Sequence, residues 1–522
     1  MKQNQTIKDS QSPEGKKQIL KVGLCLLIFI SLTGYFTKFV SPEAGGSDSA
    51  GYLLNAKIIL NKFDVRDQIP TPIDELNCGT LDEMVTSRIE VEGDCESFNR
   101  LASYPIGLGI MHAGAITILG DKPFARQLSM AVSLAGIIFL VFFFVLRITK
   151  NKLLAIIGSG LFLFSKQTIF STTANISDLP GALWVILTTY LFYLLDQERK
   201  NKSNIFLVLS VSVGIWMTFL TREVNIILLL PLSLFFFKLE LKTKLKIILM
   251  VILLGIPFMY LRYKVNGTLL TPSYGSSVFE LLDSKWIKTS TSVEIFTILS
   301  YIGIMIISII PSRKNTYSRL EIVLSLQILG SLLFYAFYQF TGETWWCGRL
   351  IISCIPSFLV LVLHRTHKYL EIARENLIRQ GVEYRSKEIT SWATILIISS
   401  VAIYVNVADE KYQASTYQYL LKDAPKFRTV EPTIKSMKEI IPQGSMVVTM
   451  DFSAAGRYYF NNYYKFLWKP GMETLSIEKI KSEFPVTYWI YNPSYTEPPK
   501  EIVEQLEIIR SSDPPFVIGI LK

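Results

Sequence analysis

Ile19-Leu20-Lys21-Val22-Gly23-Leu24-Cys25-Leu26-Leu27-Ile28-Phe29-Ile30-Ser31-Leu32-Thr33-Gly34-Tyr35-Phe36-Thr37-Lys38-Phe39 is an apolar run with a lysine near each end. It delivers the chain to Ser41-Pro42-Glu43-Ala44-Gly45-Gly46-Ser47-Asp48. About 17–25 apolar residues suffice for a helix to cross a hydrocarbon core roughly 30 Å thick. The run is longer than the roughly 7–15-residue core of a signal peptide, and no A-x-A site follows. It reads as a signal anchor behind a cytoplasmic tail, residues 1–18, that carries Lys16 and Lys17. Asp48 then stands where the first span leaves the membrane, with water on one side and lipid on the other.

The rest of the chain repeats the pattern. Its 522 residues are 50% hydrophobic and only 18% charged, with a mean hydropathy of +0.34; soluble domains carry about 25% charge. Apolar segments fall at roughly 19–39, 124–146, 153–170, 181–195, 205–220, 224–237, 246–262, 293–310, 320–340, 350–363 and 391–406. The fold class is therefore a polytopic α-helical membrane protein of about eleven spans, with its transmembrane domain at 19–406. The net charge of +10 is no nucleic-acid footprint, because most Lys and Arg sit in short loops between apolar segments.

Those loops orient the chain. If the first span runs outward, the inside loops are Arg147 to Lys152, Gln197 to Asn204, Lys238 to Lys246, Arg313 to Arg319 and His364 to Lys387. All are rich in Lys or Arg, as the positive-inside rule requires. The outside loops, 40–123, 171–180, 221–223, 263–292 and 341–349, are basic only at isolated positions. One segment decides the parity. Tyr104-Pro105-Ile106-Gly107 through Leu119 is apolar but short, and counting it as a span would put the basic clusters outside. It reads as an interfacial or re-entrant helix of the first outer loop; the alternative is a short true span paired with another.

After Val407 the chain turns polar. Strand patterns at Met446 to Met450, Lys465 to Trp468, Val486 to Tyr491 and Phe516 to Leu521 alternate with helical patterns at Ser476 to Glu483 and Lys500 to Ile509. This predicts a small α/β domain over 407–522, extracytoplasmic by parity. Cys78 and Cys95 share the first outer loop and could pair or stay free; no CxxC, HExxH or Cys/His cluster marks a zinc site.

Chemistry gathers at the outer ends. Asp48 precedes an amphipathic pattern holding Tyr52 and Lys57; an aspartate there is either a helix cap or a base. Asp178, in Asn175-Ile176-Ser177-Asp178-Leu179-Pro180, is either a second cap or a partner facing Asp48 across a cleft. In Phe219-Leu220-Thr221-Arg222-Glu223-Val224-Asn225, Arg222 and Glu223 lie at a hydrocarbon boundary, where such residues pair with each other, snorkel or serve function. In Thr341-Gly342-Glu343-Thr344-Trp345-Trp346-Cys347-Gly348-Arg349, a guanidinium among glycines suits an anion such as phosphate.

Taken in order, Gly46-Ser47-Asp48 with Tyr52, Tyr104-Pro105-Ile106-Gly107, Ala125-Arg126 with Leu128-Ser129, Leu220-Thr221-Arg222-Glu223, and Gly342…Gly348-Arg349-Leu350…Ile355-Pro356 cover most of residues 20–360. The chain resembles the GT-C superfamily of polyprenyl-phosphate-sugar-dependent glycosyltransferases, in the branch of protein O-mannosyltransferases and bacterial aminoarabinose transferases. It departs from the common pattern where Ser49 follows Asp48 and where Glu223, instead of a proline, follows Arg222. The resemblance implies an inverting transfer at the outer face of a plasma (inner) membrane, from a polyprenyl-phosphate-linked sugar to a glycan, lipid or protein acceptor. It implies Asp48 as general base, Asp178 as its helper, and Arg349 and Arg222 for the phosphate, followed by Lys57 and Arg126. Tyr52, Tyr104 and Glu223 complete the substrate-binding set. The superfamily holds both metal-dependent and metal-independent members. No Asp-x-Asp or Asp-x-Glu stands at Asp178, so no cofactor is required and a divalent metal stays open. The alternative function is a polytopic transporter or flippase of lipid-linked or envelope material, which should place ionisable residues at mid-membrane and show an internal repeat. A lipid-linked glycan polymerase or ligase and an envelope scaffold are further rivals.

Overall fold

The computed structural model describes residues 13–40, 47–61, 104–163, 165, 168, 171–172, 175–197, 205–266, 269, 318–336, 352–379, 437, 439–442, 445–449, 464–467, 486–491, 500–512 and 516–521. Segments 293–310 and 391–406, Cys78, Cys95, the Ser476 to Glu483 pattern and Arg349 lie outside them.

Among the described residues, ten longer helices organise the bundle: α1 (Pro13–Phe36), α2 (Ser47–Leu60), α3 (Ile106–Leu119), α4 (Pro123–Thr149), α5 (Lys152–Leu163), α6 (Asp178–Gln197), α7 (Ile205–Thr221), α8 (Leu241–Asn266), α9 (Arg319–Ala336) and α10 (Ile355–Arg379). At 1.5 Å per residue α4 is about 40 Å long, and α1, α3, α5, α6 and α10 all pack on it. It begins with Pro123, whose missing N–H costs nothing in a first turn. Its C-terminus turns through Lys150 in the left-handed region (φ 56°). There the Asn151 side chain accepts from the backbone N–H groups of Leu153 (3.0 Å) and Leu154 (3.2 Å), opening α5. The main core joins Phe144, Val141, Leu134, Ile186, Val208, Leu324 and Val360, one side chain set from five helices.

Among the described residues, three helices are long and apolar enough to cross a membrane: Pro123–Thr149, Asp178–Gln197 and Leu241–Val265. The last has Leu245, Ile248, Leu249, Ile252, Leu253 and Ile256 exposed, and α1 exposes Leu24, Leu26, Leu27 and Ile30. Contiguous apolar surface on this scale belongs against lipid.

One expected span and one expected loop differ in form. Segment 224–237 is a broken helix, with 3₁₀ turns at Glu223–Asn225 and Leu230–Leu232 and short α-helical pieces at Ile226–Leu229 and Ser233–Phe236. Pro231 lacks the N–H that a continuous helix needs there. The basic stretch from His364, expected as a loop through Lys387, continues α10 to Arg379. Its charge is folded into the bundle: Glu321 of α9 forms ion pairs with Arg365 Nε (2.9 Å) and Lys368 Nζ (3.0 Å), while Arg319 meets Asp196 at 2.6 Å. Buried ion pairs let a charged helix end stay helical where sequence pattern alone reads a loop. Helix α3 has 14 residues, about 21 Å of rise, short of a roughly 30 Å core.

The C-terminal region forms a five-stranded sheet of order β2-β1-β3-β5-β4, from β1 (Met446–Thr449), β2 (Tyr464–Leu467), β3 (Thr487–Tyr491), β4 (Leu506–Ser512) and β5 (Phe516–Leu521). Strand β1 runs parallel to β2 and β3, and β5 runs antiparallel to β3 and β4. The helix expected over Lys500 to Ile509 ends at Val503, and Leu506–Ser512 is an edge strand. Pairing of β4 with β5 overrides the local helical pattern, a tertiary effect that propensity does not carry.

Candidate active site

The N-terminal halves of α2, α3 and α6 and the C-terminal end of α7 meet in one polar cluster. Four of the motifs singled out in the sequence lie there, though they are up to 170 residues apart in the chain. Tyr52 on α2 is fully buried. Its hydroxyl shares a 2.6 Å hydrogen bond with Ser177 Oγ, and its ring tilts against Tyr104 with centroids 5.2 Å apart. Asn55, one turn on, donates to the Tyr104 carbonyl at 3.1 Å. Gly51 makes this approach possible, since a Cβ there would stand 2.2 Å from the Tyr104 ring.

Gly107 ties α3 to α7 more tightly still. A Cβ at Gly107 would lie 2.4 Å from the Thr221 backbone nitrogen. The obstacle is main chain, which cannot swing aside. Gly107→Ala is therefore expected to separate α3 from the Arg222 turn: folded yield after detergent extraction should fall severalfold and any transfer activity should disappear. Wild-type yield and activity in that variant would show that the contact is dispensable.

At the centre, Asp178 opens α6, fully buried, and forms an ion pair with Arg222 Nη1, itself nearly buried. The sequence reading paired Arg222 with its neighbour Glu223, or let both snorkel. Instead each finds a remote partner: Arg222 takes Asp178, and Glu223 takes Arg262 Nη2 of α8 at 2.5 Å. Arg262 also lies over the Phe219 ring, 5.1 Å from its centroid. The reason is geometric. The Arg222 backbone is extended (φ −157°, ψ 104°), and successive side chains on extended backbone point to opposite sides. The two charges thus cannot share a face.

Other expected site residues separate by place. Asp48 stands in the first turn of α2, one turn ahead of Tyr52. That helix begins at Ser47, so Asp48 is inside the turn rather than capping it; its side chain lies outside the described residues, as does Arg349. Lys57 is half-buried near the end of α2, and five residues of helix turn it off the face that carries Tyr52. Arg126 is buried and held by Asp121 (Nε to Oδ1, 2.9 Å), so its charge is locally engaged; its carbonyl receives a long 3.5 Å contact from Asn175 Nδ2. His112, buried on α3, is held down at about 4 by desolvation, with Asn175 opposing and Arg126 adding to the shift. It is neutral at physiological pH and adds no cation to the cluster.

Sequence reasoning missed Arg262 and Asn225. Arg262 ends an apolar segment, and Asn225 follows Arg222 into another. Polar groups at such depth are signals by themselves. Among the described residues no three His, Cys, Asp or Glu side chains gather as a metal-ligand set.

The arrangement holds a buried acid–base pair at one end of a lipid-facing bundle, flanked by hydroxyls and aromatic rings. Rise along α6 puts Asp178 about 27 Å from Asp196, so the Asp178–Arg222 pair and the Glu321 cluster occupy opposite ends of the bundle. No family model matches the chain, and no curated protein matches it. Among solved structures it is similar to ArnT from Cupriavidus metallidurans bound to undecaprenyl phosphate, with a TM-score of 0.56, 11% identity, and 98% of this chain and 99% of that one covered. It is likewise similar to the same protein in the apo state, with a TM-score of 0.55 and 10% identity over the same shares. The chain thus shares the polytopic membrane fold of ArnT, the fold that the ordered motifs implied.

Proposed function

We propose that this protein is an inverting glycosyltransferase that moves a sugar from a polyprenyl-phosphate donor to an acceptor hydroxyl at the extracytoplasmic face of the inner membrane. One observation carries the reading. The motifs at Tyr52, Tyr104–Gly107, Asp178 and Thr221–Arg222 converge on one buried cluster, in a chain with the fold of a protein crystallised with undecaprenyl phosphate.

In the reaction, the acceptor oxygen attacks the anomeric carbon as the bond from that carbon to the phosphate oxygen breaks. The acceptor proton passes to the Asp48 carboxylate, and polyprenyl phosphate leaves as an anion. Arg349 is the first candidate to meet that anion, because Arg222 is already matched to Asp178. Asp178 then acts by holding the Arg222 turn against α6. Lys57 is the reserve cation, since Arg126 is held by Asp121, and Tyr52, Tyr104 and Glu223 shape the walls. The amino-terminal tail lies in the cytoplasm and the sheet domain over 407–522 outside, beside the acceptor.

The test uses membrane vesicles containing the full chain, supplied with undecaprenyl phosphate carrying labelled mannose, glucose or aminoarabinose. Release of undecaprenyl phosphate with label passing to an acceptor is the expected result. Folded protein that releases none of the three sugars but moves the intact lipid between leaflets would instead establish a flippase.

A further inference from the structure

Next to the Asp178–Arg222 pair lies a set of polar side chains that nothing in the described structure satisfies. Asn225 ends the 3₁₀ turn Glu223–Asn225 and is 1% exposed. Neither its amide nitrogen nor its amide oxygen has a hydrogen-bond partner among the described residues. Ser353, in the turn Ile352–Cys354 that leads into α10, is fully buried with its hydroxyl in the same condition. Both converge on Gly181, one turn into α6. A Cβ at Gly181 would stand 2.8 Å from Asn225 Nδ2, 3.6 Å from Arg222 Cβ and 3.7 Å from Ser353 Oγ. The side-chain-free position, the amide and the hydroxyl therefore share one spot.

Burying an amide without partners costs stability, and such groups in native structures call for a specific explanation. A second buried amide in the bundle shows the contrast. Gln327 donates to Thr189 Oγ1 (2.9 Å) and to the Leu228 carbonyl (2.8 Å), and accepts from Ser357 (2.9 Å). The orphaned set occurs beside the ion pair, at the end of the bundle assigned to chemistry. Its chemistry narrows the ligand. A carboxamide and a hydroxyl can each donate and accept, which suits neutral hydroxyl groups; a phosphate only accepts and would look for unpaired positive charge.

We propose that Asn225 and Ser353, brought together against Gly181, form a hydrogen-bonding subsite for ring hydroxyls of the donor sugar. This assignment rests on the glycosyltransferase reading and names the part of the donor that the site reads.

The experiment uses the full chain in lipid nanodiscs and compares bare undecaprenyl phosphate with undecaprenyl phosphate bearing whichever of mannose, glucose or aminoarabinose the wild type binds. Asn225→Leu removes both amide groups at similar size. It is expected to weaken binding of the sugar-bearing lipid about tenfold, as for loss of one or two neutral hydrogen bonds. Affinity for the bare lipid should stay unchanged, and Tm should hold or rise, since an unsatisfied buried group is gone. Ser353→Ala should give the same selectivity with a smaller loss, and carries the comparison alone if Asn225→Leu does not fold. Equal loss for both lipids, no loss for either, or a lower Tm with affinity intact would overturn the subsite while leaving the transferase reading standing. A wild type that binds bare undecaprenyl phosphate but none of the sugar-bearing lipids also removes the subsite. A wild type that binds no polyprenyl phosphate removes both.

Discussion

Arg222→Met is expected to strand the Asp178 carboxylate in a fully buried position and to destabilise the protein by about 3–5 kcal/mol, the usual result of breaking a buried pair from one side. Asp178→Leu strands the guanidinium instead and should cost a comparable amount, somewhat less because Arg222 keeps slight exposure. The double variant Asp178→Leu/Arg222→Met removes both charges together. Neutral replacement of a whole buried pair is often tolerated, so the double variant should recover most of the lost Tm and folded yield. Transfer should not recover, because the pair sets the position of the Arg222 turn and of the Asn225 side chain that follows it. The cycle thus separates two roles that a single substitution confounds. If the double variant regains both stability and transfer, the pair is a folding device alone. If the single variants leave Tm unchanged, the two charges are not paired in the membrane.

Much of this cluster could be read from sequence in kind but not in pairing. Asp178, Arg222, Tyr52 and Tyr104 are visible because each is a polar or aromatic residue at the end of an apolar run, where the bilayer makes such residues costly. Which of them meet depends on how the helices pack, and no local pattern encodes that. The split of Arg222 and Glu223 toward Asp178 and Arg262 follows from one extended residue between two helical segments. The same limit shows at the opposite end: His364 to Arg379 reads as a charged loop until Glu321 of α9 is set against Arg365 and Lys368. In the sheet domain, the strands at 446–449 and 516–521 follow their short apolar, β-branched runs, whereas 506–512 becomes a strand only because β5 lies beside it. Gly51, Gly107 and Gly181 carry no signal in isolation. Their meaning is the atom that a Cβ would strike, and that atom belongs to a residue more than forty positions away in the chain each time.

Asp48→Asn is expected to lower transfer by about 10²–10⁴-fold, the range that a positioned general base supplies. The substitution tests chemistry with little structural cost. Asp48 lies in the first turn of α2, where a carboxylate gains about 0.3–1 kcal/mol from the positive end of the helix. Asparagine keeps the size and hydrogen-bonding reach and gives up only that small term. A rate loss of 10² already corresponds to about 2.7 kcal/mol in the barrier, well beyond what the lost helix interaction accounts for. Donor binding should survive, because the proton is taken from the acceptor; kcat should fall while affinity for the polyprenyl-phosphate sugar holds. Unchanged transfer by a folded Asp48→Asn protein would leave Asp48 as a helix-end charge and send the search for the base to the outer loop beyond α2. A fall in donor affinity with kcat intact would make it a ligand of the sugar instead.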